Sequence, residues 1–245
     1  MTYLILSDVH ANLEALDAVL EAAGEYDHAL VLGDLVGYGA NPNEVIERLL
    51  ALPSVTFIRG NHDKAATRLA SVEHFNHLAR FAVQWTTEQL TPANFEWLAA
   101  LPTGPLAIDD LVEICHGAPF DEDAYIFDEL DAVRALKVST RPLCLFGHTH
   151  YPVTFELSSD SFDMVGPAAA GEMQIQMRNG SKYLVNPGSI GQPRDGDPRA
   201  AYAIADTTQR RVELFRLAYP VEETQEKILK AGLPEVLAQR LSVGR

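Results

Sequence analysis

The feature that most constrains this chain is a unit that recurs along its first 150 residues: a short apolar run, a small residue, and then an Asp, His or Asn. The stretch GDLVGYGANP, residues 33–42, is one example, because Asp34 follows Gly33 directly after the apolar run 29–32. Short apolar runs that end at glycine are typical of buried strands. The carboxyl ends of strands in an α/β sheet meet at one edge, so we expect these polar side chains to converge.

The apolar patterning predicts a layered α/β protein in which strands alternate with helices. Strands are expected at residues 3–6, 29–32, 55–58, 111–115 and 143–146, and helices at 12–23 and 42–50. After residue 151 we expect strands joined by turns, and then a helical tail, with the strands at 153–157, 173–177, 182–185, 201–205 and 211–217. Residues 64–100 are predicted to be mostly helical and to cap a site. Without an internal repeat or a linker, residues 1–245 are predicted to form a single domain.

Composition limits the partners that this chain can have. Its 19 Lys and Arg residues against 34 Asp and Glu give a formal net charge of −15, which disfavours an extended nucleic-acid surface. Cys115 and Cys144 lie inside apolar runs, which predicts buried thiols in a reducing compartment and no disulfide framework. The first ten residues lack the pattern of a targeting or membrane-spanning segment, so we expect a cytoplasmic protein without a membrane partner.

The polar residues at the predicted strand ends are candidate metal ligands. They are Asp8, His10, Asp34, Asn61, His116, His148 and His150. Taken singly, such residues are typical helix caps or buried hydrogen-bonded histidines, but their joint occurrence after successive strands favours one site. Oxygen and imidazole donors without thiolate suit Mn, Fe, Zn or similar divalent ions. Because a carboxylate has two oxygens, one Asp can bridge two cations about 3.5 to 4 Å apart.

These residues fall in five motifs that share one order along the chain. The motifs are Asp8-Val9-His10, Gly33-Asp34, Gly60-Asn61-His62-Asp63, His116-Gly117 and Gly147-His148-Thr149-His150. They resemble the five motifs of the calcineurin-like metallophosphoesterases, and NPGSIGQPR, residues 186–194, resembles a segment of the small bacterial and archaeal members. The resemblance implies an α/β fold in which two β-sheets pack as a sandwich flanked by helices, with metals at the strand ends.

The resemblance also implies a role for each motif residue. One metal would be held by Asp8, His10, Asp34 and His150, and the other by Asp34, Asn61, His116 and His148. Two divalent ions are expected, Mn first, with Fe, Zn, Ni or Co as alternatives. A hydroxide that bridges the metals would attack phosphorus, and His62 would protonate the departing oxygen. Tyr38 and Arg59 are candidate substrate contacts, and an ordinary ion pair is an equally open interpretation of Arg59.

The segment after Asp34 departs from one branch of the family. Protein serine/threonine phosphatases and symmetrical diadenosine tetraphosphate hydrolases carry an Asp-Arg pair where this chain has Gly37 and Tyr38. The resemblance therefore implies that His62 lacks the Asp that orients it and that one phosphate-binding cation is missing. This favours a phosphodiester or an activated leaving group, although a phosphomonoester stays open.

Several alternatives to a dinuclear phosphoesterase acting on a small phosphorylated substrate remain. A serine/threonine-type protein phosphatase or a dinucleoside polyphosphate hydrolase would fit the family, but this chain lacks the Asp-Arg pair of those enzymes. A non-catalytic metal-binding scaffold is weakened by the complete ligand set. A metal-dependent amidohydrolase is weaker still, because its HxH motif normally ends the first strand, whereas here it comes at residues 148–150. The oligomeric state is left open.

Overall fold

The computed structural model describes residues 1–165 and 173–245 of the chain. Its strands are β1 (Thr2–Leu6), β2 (His28–Val31), β3 (Val55–Phe57), β4 (Leu106–Ala107), β5 (Val112–Ile114), β6 (Leu143–Leu145), β7 (Val153–Leu157), β8 (Phe162–Val165), β9 (Met173–Gln176), β10 (Lys182–Asn186), β11 (Ala200–Asp206) and β12 (Arg211–Leu217). Its helices are α1 (Leu13–Ala22), α2 (Pro42–Leu50), α3 (Asn61–Ala66), α4 (His77–Gln89), α5 (Pro92–Ala99), α6 (Glu129–Val138), α7 (Val221–Lys230), α8 (Glu235–Gln239) and a 3-10 helix at Arg240–Val243.

Within the described ranges the strands form two six-stranded sheets. The first sheet has the order β3-β2-β1-β11-β12-β9, and the second has the order β4-β5-β6-β10-β7-β8. In each sheet the strands that lead into the predicted ligands run parallel, as β1 does with β2 and β5 does with β6. The expected sandwich of two sheets flanked by helices is confirmed. The sequence missed β4 and β8, since both are short edge strands with little apolar periodicity.

Alternation of side chains along the central strands builds separate layers of the core. In β1, Tyr3 and Ile5 pack between the two sheets, whereas Leu4 and Leu6 pack in the layer that contains residues of α1 and α2. Cys144 of β6 packs with residues of α6 instead. Because both faces of these strands are covered, they read as continuous apolar runs in the sequence. Cys115 and Cys144 are buried free thiols, as predicted.

The region predicted as mostly helical, residues 64–100, contains the end of α3 and all of α4 and α5, with no helix at 67–76. Asn76 caps α4, since its side-chain oxygen accepts hydrogen bonds from Leu78 N and Ala79 N, both at 3.0 Å. Ala79 and Ala82 of α4 pack in one cluster with residues of α7 and α8. A capping role for this region stays a prediction. In the described part of the chain, no helix combines the length and the apolar character needed to cross a membrane.

Candidate metal centre

The carboxyl ends of the parallel strands bring the predicted ligands together. Asp8 and His10 follow β1, Asp34 follows β2, and Asn61 begins α3 just after β3. The second sheet supplies the remaining histidines, His116 after β5 and His148 and His150 after β6. The loop after β1 is held short by Asn12, which caps α1 through Ala15 N at 3.1 Å and donates to the Gly191 carbonyl at 3.0 Å.

The backbone at these ligands is strained in a way that packing alone does not require. The φ angles of five ligands lie between 47° and 68°, namely those of Asp8, His10, Asp34, His148 and His150. A residue with a β-carbon pays about 1–2 kcal/mol for this left-handed conformation. Such strain persists only where the surroundings impose it, and it is typical of functional sites. Here the amide of Asp8 donates to Gly33 O at 3.2 Å and that of His10 to Asp34 O at 3.0 Å.

The ligand atoms form two groups that share one carboxylate. Asp8, His10, Asp34 and His150 make one group, and Asp34, His116 and His148 make the other, with the ligand atoms in each group within 4.8 Å of one another. Asp34 Oδ2 lies 3.6 Å from His10 Nε2 and 3.5 Å from His116 Nε2. Asn61 joins the second group, since its Oδ1 lies 3.1 Å from His116 Nε2. All seven predicted ligands are therefore at this centre.

Backbone carbonyls fix the orientation of every ligand histidine. One ring nitrogen of each imidazole lies at hydrogen-bond distance from a carbonyl oxygen: His10 Nδ1 from Val36 at 3.1 Å, His116 Nδ1 from Leu32 at 2.8 Å, His150 Nδ1 from Gln192 at 2.6 Å and His148 Nε2 from Asp123 at 3.2 Å. A carbonyl only accepts, so this nitrogen carries a proton. The other nitrogen presents a lone pair to the centre whenever the ring is neutral. Second partners of this kind are typical of metal-binding histidines.

Hydrogen-bond donors likewise fix the carboxylates of Asp8 and Asp34. Ser7 Oγ donates to Asp8 Oδ2 at 2.6 Å, and the amide of His148 donates to Asp8 Oδ1 at 3.1 Å. Asp34 Oδ1 accepts from the amide of His62 at 2.8 Å, which leaves Oδ2 for the histidines of both groups. Buried carboxylates and unprotonated imidazole nitrogens that face one another repel unless a cation lies among them. The donor set therefore fits divalent metal ions.

The pKa values show how this centre balances its charge without metal. Burial raises the pKa of Asp8 to about 7, and the neighbouring Asp34 contributes to the rise. Burial opposes a charge on His116, but the carboxylates of Asp34 and Asp8 outweigh it and raise its pKa to about 10. Burial lowers the pKa of His148 to about 3. A centre that must protonate His116 to compensate its carboxylates is one in which bound cations would take over that compensation.

His62 lies beside the centre and lines a cavity of about 750 Å³ that Asn61 and His148 also line. Its ring centroid is 4.5 Å from that of Tyr38 and 5.0 Å from that of Phe75, so aromatic packing holds the imidazole. Its Nδ1 is buried and has no hydrogen-bond partner among the described residues. Burial lowers the pKa of His62 to about 4, so the ring is neutral near neutral pH.

Gly37 explains why no side chain from residue 37 forms a hydrogen bond with Nδ1 of His62. A β-carbon at Gly37 would lie 2.4 Å from His62 Nδ1, and the φ angle of +88° is one that glycine adopts freely. Asp63 instead stabilises this region, because its carboxylate accepts from Leu35 N at 2.9 Å, Val36 N at 3.2 Å and Gly60 N at 2.9 Å. The sequence signal for this role of Asp63 is its position as the last residue of the Gly-Asn-His-Asp motif.

The two predicted substrate contacts have different surroundings. Tyr38 lines the cavity, and its ring centroid lies 4.8 Å from that of His10. Arg59 donates two hydrogen bonds to Glu122, at 3.2 and 3.1 Å, which is the ion pair that the sequence left open as its alternative. The cavity residues that the sequence did not single out include one aromatic residue and two arginines. Tyr125 stacks on His148 at 3.8 Å, and two arginines, Arg194 and Arg240, line the same cavity.

The segment NPGSIGQPR braces the centre from the second sheet. Ser189 Oγ donates to Asp8 O at 2.8 Å, and Gly191 N donates to the same oxygen at 3.0 Å. Gly191 must be glycine here, since a β-carbon would lie 1.8 Å from Val9 O. Gln192 supplies the carbonyl that orients His150. The segment thus supports the candidate metal ligands. Because Arg194 is the last residue of this segment, its position in the motif could have indicated that it lies near the centre.

Comparison with known proteins gives consistent results. The sequence model of the calcineurin-like phosphoesterase superfamily domain matches residues 1–210. An uncharacterized protein of Methanocaldococcus jannaschii is 36% identical over 251 aligned positions, which cover 98% of this chain and 97% of that protein. The crystal structure of a metallophosphoesterase from Sphaerobacter thermophilus is 39% identical with a TM-score of 0.87, covering 100% of this chain and 99% of that one. A hypothetical protein of Pyrococcus horikoshii OT3, 22% identical with a TM-score of 0.79 over 100% and 98% of the chains, shares the fold.

Proposed function

Because the chain belongs to the calcineurin-like phosphoesterase superfamily, we propose that it is a hydrolase that uses two divalent cations to cleave a phosphate ester. The observation that carries this proposal is the buried ligand set in which Asp34 is shared by two groups. Each ligand histidine, once neutral, would present a lone pair to the centre. This degree of preorganisation favours catalysis over a scaffold role, which would not need two complete groups of ligands.

The residues divide into two cation sites. Asp8, His10, Asp34 and His150 would hold one cation, and Asp34, Asn61, His116 and His148 would hold the other. When bound, such cations lower the pKa of a water molecule and neutralise charge on phosphoryl oxygens. We place Mn first, with Fe, Zn, Ni or Co as alternatives. Ser7 and the amides of His62 and His148 keep the carboxylates in position, so that the ligand atoms do not have to rearrange.

His62 is the candidate that protonates the departing oxygen. It lines the cavity that Asn61 and His148 also line, which supports a role on the substrate side of the centre. Since its imidazole is neutral near neutral pH, it is a weaker acid than a protonated histidine would be. Together with the missing cation at Tyr38, this supports a preference for phosphodiesters or activated leaving groups over ordinary phosphomonoesters. Gly37 and Tyr38 likewise argue against a protein phosphatase or a dinucleoside polyphosphate hydrolase.

The composition and the free thiols support proposals for the kind of substrate and for the cellular compartment. A net charge of −15 supports a small phosphorylated substrate and no extended nucleic-acid partner. Two buried free thiols support a reducing compartment, and we propose that the protein acts in the cytoplasm.

The proposal is tested by removing the metal with a chelator and then restoring each candidate ion separately. Hydrolysis of p-nitrophenyl phosphate and of bis(p-nitrophenyl) phosphate is followed at each step. We expect no turnover after chelation, recovery with Mn²⁺, and faster turnover of the diester. Asp34→Asn should weaken both cation sites and abolish activity, whereas the surface variant Asp17→Asn should not. Activity that survives chelation, or an active and fully metallated Asp34→Asn variant, contradicts the proposal.

A further inference from the structure

The cavity beside His62 contains two arginines that no acidic side chain neutralises. Arg194 and Arg240 both line it, and within residues 1–165 and 173–245 no Asp or Glu carboxylate lies within 4.0 Å of either guanidinium. Arg194 Nε is moreover buried without a hydrogen-bond partner among the described residues. Asp123, an acid that lines the same cavity, forms an ion pair with Lys64 instead, with 2.5 Å between Oδ2 and Nζ. In a chain with a net charge of −15, two arginines in one cavity without an acidic side-chain partner are unexpected.

The two positive charges also act on each other. Burial lowers the pKa of Arg240, and the charge of Arg194 is the second cause of that shift. Like charges that are partly buried cost free energy unless an anion binds between them. Arg216, a buried arginine elsewhere in the chain, avoids this cost by pairing with Asp195.

Arg194 is held in position by the segment that braces the metal centre. Its Nη2 donates to Tyr38 Oη at 3.3 Å and to Gln192 Oε1 at 3.2 Å. The backbone of Gln192 is itself fixed, since its N–H donates to Ser189 Oγ at 2.8 Å and its carbonyl oxygen accepts from His150 Nδ1. Arg194 therefore reaches the hydroxyl of Tyr38, the residue that stands where the phosphatase branch has an arginine, and brings a cation there from a distant part of the chain.

Arg240 comes from a part of the chain beyond the family match, which ends at residue 210. It begins the 3-10 helix Arg240–Val243, whose Leu241 packs with Leu237 of α8 and with Tyr38. Its Nε donates to a main-chain oxygen of Arg245, and the two terminal nitrogens of its guanidinium have no hydrogen-bond partner among the described residues. The C-terminal helices thus place this second cation against the same tyrosine.

We propose that Arg194 and Arg240 together bind a phosphate group of the substrate, in the cavity beside the metal centre. The assignment deepens the proposed function and rests on it in so far as the phosphate belongs to a substrate. Guanidinium groups suit this task because their fixed donors match phosphate oxygens in pairs. The arginine pair compensates for the cation that is missing at Tyr38, and it makes the C-terminal segment a determinant of substrate specificity.

The test is a calorimetric titration of the full-length, Mn²⁺-loaded protein with inorganic phosphate. Arg194→Gln and Arg240→Gln should each weaken phosphate binding by about tenfold or more, as expected for loss of one charge-assisted contact. Arg194→Lys and Arg240→Lys should restore part of the affinity. Arg48→Gln removes the same charge from a surface ion pair with Asp17 and should leave phosphate affinity unchanged.

Steady-state kinetics separate this inference from the proposed function. The arginine variants should raise KM more than they lower kcat, because they remove binding and leave the metal ligands intact. If the protein hydrolyses no phosphate ester but its phosphate affinity still depends on both arginines, the anion site stands and the proposed function fails. If hydrolysis is present but phosphate affinity and KM are unchanged in folded single and double variants, the anion site is overturned.

Discussion

The Nε2 atoms of His10 and His150 lie 3.0 Å apart inside the metal centre, and both rings carry their proton on Nδ1, facing backbone carbonyls. Two lone pairs therefore face each other in a buried space, next to Asp8 and Asp34. This arrangement is unfavourable in the metal-free protein and favourable around a cation. The metal centre is thus built at the expense of the stability of the metal-free fold.

Metal binding should consequently stabilise the protein strongly. A cation present at 100 times its Kd adds about 2.7 kcal/mol to the free energy of unfolding, so chelation should lower Tm and Mn²⁺ should restore it. In His150→Ala the rise in Tm on adding Mn²⁺ should shrink, because one ligand is lost and the facing lone pairs are relieved. The matched control is His77→Ala, an exposed histidine away from the centre. A full metal-induced rise in His150→Ala, followed by circular dichroism, would falsify this account.

Loss of His62 should depend on the leaving group. A positioned general acid contributes about 10²- to 10⁴-fold, and it contributes most when the departing oxygen is basic. We therefore expect His62→Ala to lose more kcat on alkyl esters than on p-nitrophenyl esters, with a loss toward the low end of this range because the ring is neutral near neutral pH. The comparison uses a series of leaving groups with the metal content checked in each sample. Equal losses across the series would remove the general-acid role from His62.

Installing the Asp-Arg pair should harm this site. The sequence alone suggests that Gly37→Asp with Tyr38→Arg raises monoester turnover relative to diester turnover. The structure predicts the opposite, because a β-carbon at Gly37 meets His62 Nδ1 at 2.4 Å and Arg194 already occupies the hydroxyl end of Tyr38. Turnover of both ester types should fall.

The chain offers a control for the backbone strain in that variant. Gly180 has a φ angle of +84° but no atom within 4 Å of a built β-carbon, so Gly180→Asp introduces the same strain without a clash. Its activity should match the wild type. A double variant at Gly37 and Tyr38 that gains monoester activity and keeps His62 in place, seen by crystallography, would refute the steric argument.

Asp63→Asn should destabilise the fold and the loop after Asp34 together. The carboxylate accepts three backbone hydrogen bonds, and an asparagine in its place turns an NH₂ group toward at least one of these donors. A buried donor left unsatisfied costs about 1–3 kcal/mol, which urea unfolding can resolve. Asp110→Asn, an exposed acid, is the control. A wild-type midpoint in Asp63→Asn would show that these bonds contribute little.

Much of the fold could be predicted from the sequence, which also singled out the seven candidate ligands that the structure brings together. Residues such as Asp34 and His116 come at or just after the ends of apolar runs, and that local pattern indicates both the buried strand and the residue at which it ends. Strand bounds agree to within one or two residues for the central strands. The edge strands β4 and β8 escaped because an edge strand needs only one covered face and few residues, which leaves little periodicity to detect.

What the sequence by itself determined was the set of chemical groups: apolar runs, the small residues that end them, and the oxygen and nitrogen donors that follow. Those signals are local, so they survive without knowledge of the fold. Only the tertiary structure decided which cations reach the cavity. Arg59 turns to Glu122, whereas Arg194 and Arg240 meet around Tyr38, because the C-terminal helices pack against α4 and the segment before Arg194 binds the loop of Asp8. Contacts between such distant parts of the chain depend on how the layers pack, and no local pattern records that.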